Sequence, residues 1–533
     1  MRAAAVFRWT ILVLCSAACL AHAQTSSESP EAQTSYKVVG SVINSVTGEP
    51  VRRAVVRLLA GPERLAFTDA GGQFEFDNLR AGRAALLVRK PGFFDEHEAG
   101  IAAGPQIASI GPDTTPVVLK LVPEGVIYGR AQDAVGEAIE HLPVKVLTAR
   151  ISNGRKHWLQ RQMTMTNQDG DFRVANLPPG FYYLEAGPTW RFEMPQLKNG
   201  REEAYPAIFY PAANDPAGAT PLELSAGQQL NTNLILAAIP LHKISGQVVG
   251  APADRVNFQF YDGFGESLSF PVTVSSDGHF ETRAPAGSYT LEATTWGGRG
   301  TQLVDRMPLN TTSDVSGLKV VLAPAPSIPI LVRAEPTHPS PASFQSRGTP
   351  SPSVHLSQAG VLLGGQEYWD SSSTDSNFHV LQNVPPGTYS VEVGTNRGDS
   401  WYVQSVQSGG VDLLRENLTI VPGAQPPAIE VVLRDDAARL TGRVALQGED
   451  RATVIAVRDG APLQATSVRV GGGGEFLLQN LAPGSYSILA LDQADVEYSN
   501  ADVLGRYLSG AVHVVLGPDE EHTINLDLIH VTE

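Results

Sequence analysis

Cysteine is nearly missing. Among 533 residues only Cys15 and Cys19 carry a thiol, and both lie in an N-terminal stretch that reads as a leader. The chain that follows has no thiol, which excludes disulfide staples, cysteine-bound zinc and thiol catalysis. Charge is sparse too, at 18% of residues, and its balance is negative, with a net charge of −16. That sign argues against nucleic acid and anionic membrane surfaces as partners. After the leader no apolar run is long enough to span a bilayer, so no transmembrane segment is expected in the mature chain. Apolar residues at helical spacing are also lacking, so helices should be few.

The leader itself has the parts of a signal peptide. Arg2 and Arg8 give the positive start, Trp9 to Leu20 the apolar run, and Ala21-His22-Ala23 an A-x-A cleavage site. Cleavage near Ala23 would place the mature chain outside the cytoplasm, in the periplasm, at the cell surface or in the medium. It would also remove two arginines and take the net charge to about −18. A rival reading makes Ser16-Ala17-Ala18-Cys19 a lipobox with Cys19 lipidated; serine stands there where leucine is usual. Residues 24–35, rich in Ser, Glu, Gln and Thr, are expected to be a disordered lead-in.

Glycine and proline are abundant, at 51 and 38 residues, and they punctuate a repeated unit. Its clearest copy runs from Asn167 to Tyr182. Asp169-Gly170 supplies the positive φ of a tight hairpin, and Phe172 and Val174 alternate onto one strand face. Pro178-Pro179-Gly180 stops that strand and turns the chain into the next. The other copies are built around Phe74, Phe280, Phe378 and Phe476. In order the five phenylalanines step by roughly 98, 108, 98 and 98 residues. That period is too long for a solenoid and suits a self-contained two-sheet module. The boundaries this predicts are 36–123, 124–240 with an aromatic insertion, 241–323, 324–436 and 437–533. Short connections between modules suggest neighbours that touch along a semi-rigid rod.

Bead one opens with Val39-Gly40-Ser41-Val42, followed by Gly48-Glu49-Pro50, Thr68-Asp69-Ala70-Gly71-Gly72-Gln73-Phe74 and Leu79-Arg80-Ala81-Gly82. This pattern resembles carboxypeptidase regulatory-like domains, the transthyretin-like sandwiches that follow the catalytic domain of some metallocarboxypeptidases. Modules two and five match its second half; module three has Ala284-Pro285-Ala286-Gly287 instead, and module four lacks a clear Gly-x-Val opening. The resemblance implies an all-β chain of five tandem Ig-like/transthyretin-like antiparallel β-sandwich domains. It specifies a fold and not a chemistry. The family shares its superfold with starch-binding and collagen-adhesin B-type modules, which implies a glycan-binding or adhesion role.

Sequence signals for catalysis are weak. Only His530-Val531-Thr532-Glu533 has the spacing of a metallocarboxypeptidase zinc pair, and no histidine follows it. No Gly-x-Ser-x-Gly elbow and no P-loop occurs. Asn167-x-Asp169-Gly170-Asp171 has the oxygens of a calcium loop but not its terminal glutamate, and ordinary turn chemistry explains it. The adhesin likeness raises a Lys–Asn isopeptide at Lys37 or Lys243, but the closing strands of those modules hold no asparagine. Glu185, Glu292 and Glu392 each follow a corner tyrosine by three residues, face away from it, and read as solvated. Arg397-Gly398-Asp399-Ser400 is a short integrin-type pattern of little weight.

What remains is aromatic. Trp158, Trp190, Tyr205, Tyr210 and Trp401 are candidate ligand contacts, because aromatic faces stack on sugar rings. The alternative is that these rings plug the ends and seams of sandwiches. The expectation is therefore a non-catalytic extracytoplasmic binding or scaffold protein without cofactor or metal, with a polysaccharide or an envelope protein as partner. A structural spacer without small ligand is the alternative, and a hydrolase with an unrecognised site comes third.

Overall fold

The computed structural model describes residues 35–531 except 103, 153, 189–195, 199–200, 296–301, 339–351, 362–365, 373–378, 396–400, 447–450, 462–464 and 494–495. The leader, Phe378, Trp190 and residues 397–400 thus lie outside the described residues. Strands take 59% of the chain and helix 3%, so the fold is all-β and every core is built from sheet faces. No helix among the described residues is long and apolar enough to cross a membrane. The chain divides into two compact units, residues 1–123 and 124–533. The first holds one sandwich and the second holds four.

Each sandwich repeats one wiring. An opening strand pairs antiparallel with the strand that leaves the Asp-Gly hairpin, as Tyr36–Asn44 does with Gln73–Leu79 and Ala438–Ala445 with Glu475–Leu481. A second strand pairs antiparallel with the strand that follows the proline-glycine corner, as Val55–Leu59 does with Gly82–Arg89. Those two ladders are the two sheets. The expected antiparallel arrangement holds for these ladders, but the opening and closing strands run parallel in all five sandwiches. A parallel pairing needs a long crossover, and here the intervening strands of the sandwich supply it. Period-2 alternation then fills five separate cores, which include Val38 to Leu121, Ile127 to Leu236, Ile244 to Leu322, Ile328 to Leu433 and Ala438 to Leu526.

The Gly-x-Val opening has a steric cause. Gly40, Gly129, Gly246 and Gly442 each sit opposite the hairpin phenylalanine in register. A Cβ at these positions would lie 1.8–2.3 Å from a carbonyl oxygen of the chain alongside, with the phenylalanine ring pressing on it as well. Glycine lets the ring lie flat over the opening strand while the parallel neighbour closes in. Sandwich four opens at Ile328–Glu335 without a glycine.

One strand pair crosses the expected boundary at residue 240. Gln196–Lys198 and Arg201–Ala204 form a ribbon from the aromatic insertion of module two. That ribbon pairs with Ile239–Val249, the opening strand of sandwich three. Ala204 accordingly belongs to the third core.

Candidate functional site

The corner strand begins the same way in four sandwiches. Tyr182, Tyr289, Tyr389 and Tyr486 donate their hydroxyls to the carbonyls of Pro178, Pro285, Pro385 and Ala482, four residues upstream, at 2.6–3.2 Å. This tyrosine corner points the ring into the core. The residue three places on must face outward. In sandwiches two, three and four that residue is a glutamate; in sandwiches one and five it is Leu87 and Leu489.

The glutamates are not solvated, which corrects the sequence expectation. Glu185 is 1% exposed and Glu292 5% exposed, and Glu392 is half-buried. Each outer face is closed by another sandwich, so alternation identified the face but not its cover. On sandwich two, Lys145 lies across from Glu185 in register and donates to it at 2.6 Å. Lys145 also bonds Glu266, from sandwich three. On sandwich three, Glu292 pairs with Arg306 at 3.7 Å. The Arg306 guanidinium stacks over Tyr261, whose hydroxyl accepts a bond from Gln366 of sandwich four at 2.7 Å. On sandwich four, Arg155 at the tip of the long Pro143–Met165 hairpin of sandwich two donates to Ser390 at 2.5 Å and lies 3.6 Å from Glu392. Sandwich three therefore covers two, four covers three, and two covers four. A rod whose modules touch only sequence neighbours does not allow that third contact.

Burial sets the electrostatics of this ring. Desolvation, with Glu266 adding to it, pushes the Glu185 carboxyl up to about 8 against the pull of Lys145. Burial disfavours the Lys145 ammonium, yet the two facing carboxyl groups outweigh it and raise its pKa. Lys145 thus faces two carboxyl groups, and burial favours the neutral form of Glu185, the deeper of the two. Glu292 is also raised, by burial, with Arg306 opposing.

Where the hairpin tip of sandwich two meets sandwiches four and five, a cavity of about 480 Å3 opens. Its wall includes Arg155, His157, Trp158, Gln358, Asn417 and Asn500. Hydroxyls of Ser357, Ser390 and Ser499 and the carboxylates of Glu367 and Glu497 also line it. Ser499 reaches this place because its N–H donates to the Gly154 carbonyl at the hairpin turn, at 2.9 Å.

Of the four aromatic candidates among the described residues, only Trp158 is among those that line this cavity. It is 5% exposed, packs with Leu147 and Phe209, and meets Tyr183 edge-on with ring centroids 4.3 Å apart. Lys156 lies over its ring at 4.9 Å. Tyr205 and Tyr210 are half-buried against the second core, and Trp401 against the fourth. Trp190 lies outside the described residues.

The other sequence candidates have ordinary partners. The Asn167 side chain accepts from the N–H groups of Asp169 and Asp171 at 3.0 and 2.8 Å, so its oxygen serves the turn. Lys37 pairs with Glu75 and Asp77, and Lys243 with Glu281, on exposed strands. His530 bonds Asp492 at 2.8 Å, and Glu533 lies outside the described residues. No group of three or more His, Cys, Asp or Glu placed to hold a metal occurs among the described residues. The shared offset of Glu185, Glu292 and Glu392 was visible in the repeat, but no local signal in the sequence says that another sandwich covers the face they point to.

Residues 37–107 match the family model described as the carboxypeptidase regulatory-like domain, so the first sandwich carries that signature. Among solved structures, the Bacillus anthracis TIE protein is 9% identical, with 92% of this chain and 68% of that one covered and a TM-score of 0.16. The minor pilin GBS52 of Streptococcus agalactiae is 11% identical, covering 38% of this chain and 97% of that one, with a TM-score of 0.23. The shaft pilin SpaA of Lactobacillus rhamnosus GG is 12% identical, covering 39% and 98%, with a TM-score of 0.21. Scores this low carry no inference about role. No curated protein matches the chain.

Proposed function

We propose that this chain is a non-catalytic, extracytoplasmic binding protein of five tandem sandwiches, and that the cavity beside the hairpin tip takes a carbohydrate. The cavity's lining supports this reading. Sugars present dense hydroxyls that both donate and accept, and side-chain amides and hydroxyls answer both needs. Gln358, Asn417, Asn500 and Ser357 supply such groups beside Trp158, which its packing on Leu147 and Phe209 holds in the cavity wall. The leader, with Arg2, Arg8 and the Ala21-His22-Ala23 site, supports the location. Tyr205, Tyr210 and Trp401 are secondary candidates for the same ligand.

A second reading, a structural spacer or partner in an envelope assembly, is favoured by the closed ring of sandwiches two, three and four. Calorimetric titration of the mature chain with a panel of polysaccharides and oligosaccharides separates the two. The carbohydrate reading expects saturable binding that Asn417→Ala combined with Asn500→Ala weakens about tenfold or more, as loss of one or two hydrogen bonds should. No binding across the panel, or binding indifferent to those changes, removes the carbohydrate and leaves the spacer.

A further inference from the structure

The cavity beside the hairpin tip continues onto an open part of the same sheet face. In sandwich four, Val354, Leu356, Tyr389 and Val391 belong to the core and Tyr368 packs against it. The residues between them therefore point outward. Register sets these in two adjacent rows. Glu367, Ser357 and Ser390 form one row, and all three line the cavity. Trp369, His355 and Glu392 form the next, two residues along each strand and about 7 Å away. Arg155 ties the rows together, donating to Ser390 in one at 2.5 Å and lying 3.6 Å from Glu392 in the other.

The second row ends in a platform. The Trp369 ring lies flat on the His355 ring, with centroids 4.0 Å and planes 16° apart. The tryptophan is nonetheless 61% exposed, so its other face is turned to solvent. Trp158 is buried and Trp401 half-buried, which leaves Trp369 as the one exposed tryptophan among the described residues. A ring fixed by a stack beneath it loses little freedom when a ligand lies on top. Single exposed apolar side chains are ordinary, but this one stands one step from a polar cavity on a continuous surface.

We propose that Trp369 is a second sugar subsite, so that the ligand is a neutral oligosaccharide with one unit in the cavity and the next laid on the indole. This rests on the carbohydrate reading of the cavity and extends it. A pyranose ring has an apolar C–H face that the flat side of an indole matches, and the step between the two rows is comparable to one sugar unit. Neutrality follows from the charges of the wall. Arg155 and Lys156 are matched there by Glu367 and Glu497, and Arg155 is already engaged by Glu392. No surplus cation is left for an acidic sugar.

Calorimetric titration of the full mature chain with glucose, mannose and N-acetylglucosamine oligomers of one to four units tests it. In at least one series the disaccharide should bind about tenfold more tightly than the monosaccharide. Trp369→Ala should remove that gain and leave the monosaccharide affinity unchanged, and Trp369→Phe should keep part of it. Circular dichroism melts check that both variants fold. Oxidation by N-bromosuccinimide, mapped by peptide mass spectrometry, needs no variant: the disaccharide should shield Trp369 and the monosaccharide should not. No gain with length in the wild-type chain, a gain that survives Trp369→Ala, or a Trp369 oxidised equally with every sugar overturns the subsite and leaves the cavity standing. No binding of any sugar by the wild-type chain overturns both.

Discussion

A single hydroxyl closes each proline-glycine corner. Tyr389 is fully buried, and its donation to Pro385 at 2.9 Å satisfies a carbonyl that has little other recourse. Tyr389→Phe keeps the ring and removes the bond. The expected cost is about 1 kcal/mol, read as a lower denaturation midpoint in urea with an unchanged slope. Sandwich one has Ala84 at the equivalent position and gains nothing from such a bond. These residues were legible in the sequence, because turn chemistry and tyrosine corners are local. Lys145, Arg155 and Arg306 were not. Their identity is local, but their meaning depends on a carboxylate about 40 residues away for Lys145, or on another sandwich altogether for Arg155.

At the level of strands, the opening ladder tolerates no side chain where it carries glycine. A Cβ on Gly442 would stand 2.0 Å from the Ile524 carbonyl oxygen and 2.7 Å from the Phe476 ring. Backbone cannot yield there without breaking the parallel pairing of Ala438–Ala445 with Glu521–Ile529. Gly442→Ala is therefore expected to cost about 3 kcal/mol, at the upper end for overpacking. A thermal melt should show it, whereas Gly471→Ala, with open space around it, should change little. Hairpins, corners and the five-fold recurrence were readable because period 2 and turn residues repeat. The parallel closing strand and the ribbon of Gln196–Lys198 with Arg201–Ala204 were not. Both depend on pairings with strands far along the chain, which alternation alone cannot specify.

Across the second unit, the ring makes stability depend on protons. Glu185 and Glu292 hold theirs more tightly in the folded chain than unfolded, because ionising either would leave a buried charge. The stability this adds is complete below the ordinary glutamate value of about 4.3. It is lost as pH rises, for Glu185 through about 8. The melting temperature of the mature chain should therefore fall between pH 5 and 9 as these carboxyls ionise, with rough magnitude a few degrees. Glu185→Gln, which mimics the protonated form, should flatten that decline. A slope unchanged in the variant would mean that Glu185 does not carry it.

Copies that look exchangeable in the sequence have become mutually dependent in space. Excising sandwich three would not simply shorten the array. Lys145 and Glu185 would lose their Glu266 lid, and Gln366 would lose the tyrosine it bonds. Duplication supplies units that begin as equivalents, and three carboxylates at one offset have turned these into a set with fixed membership and fixed order.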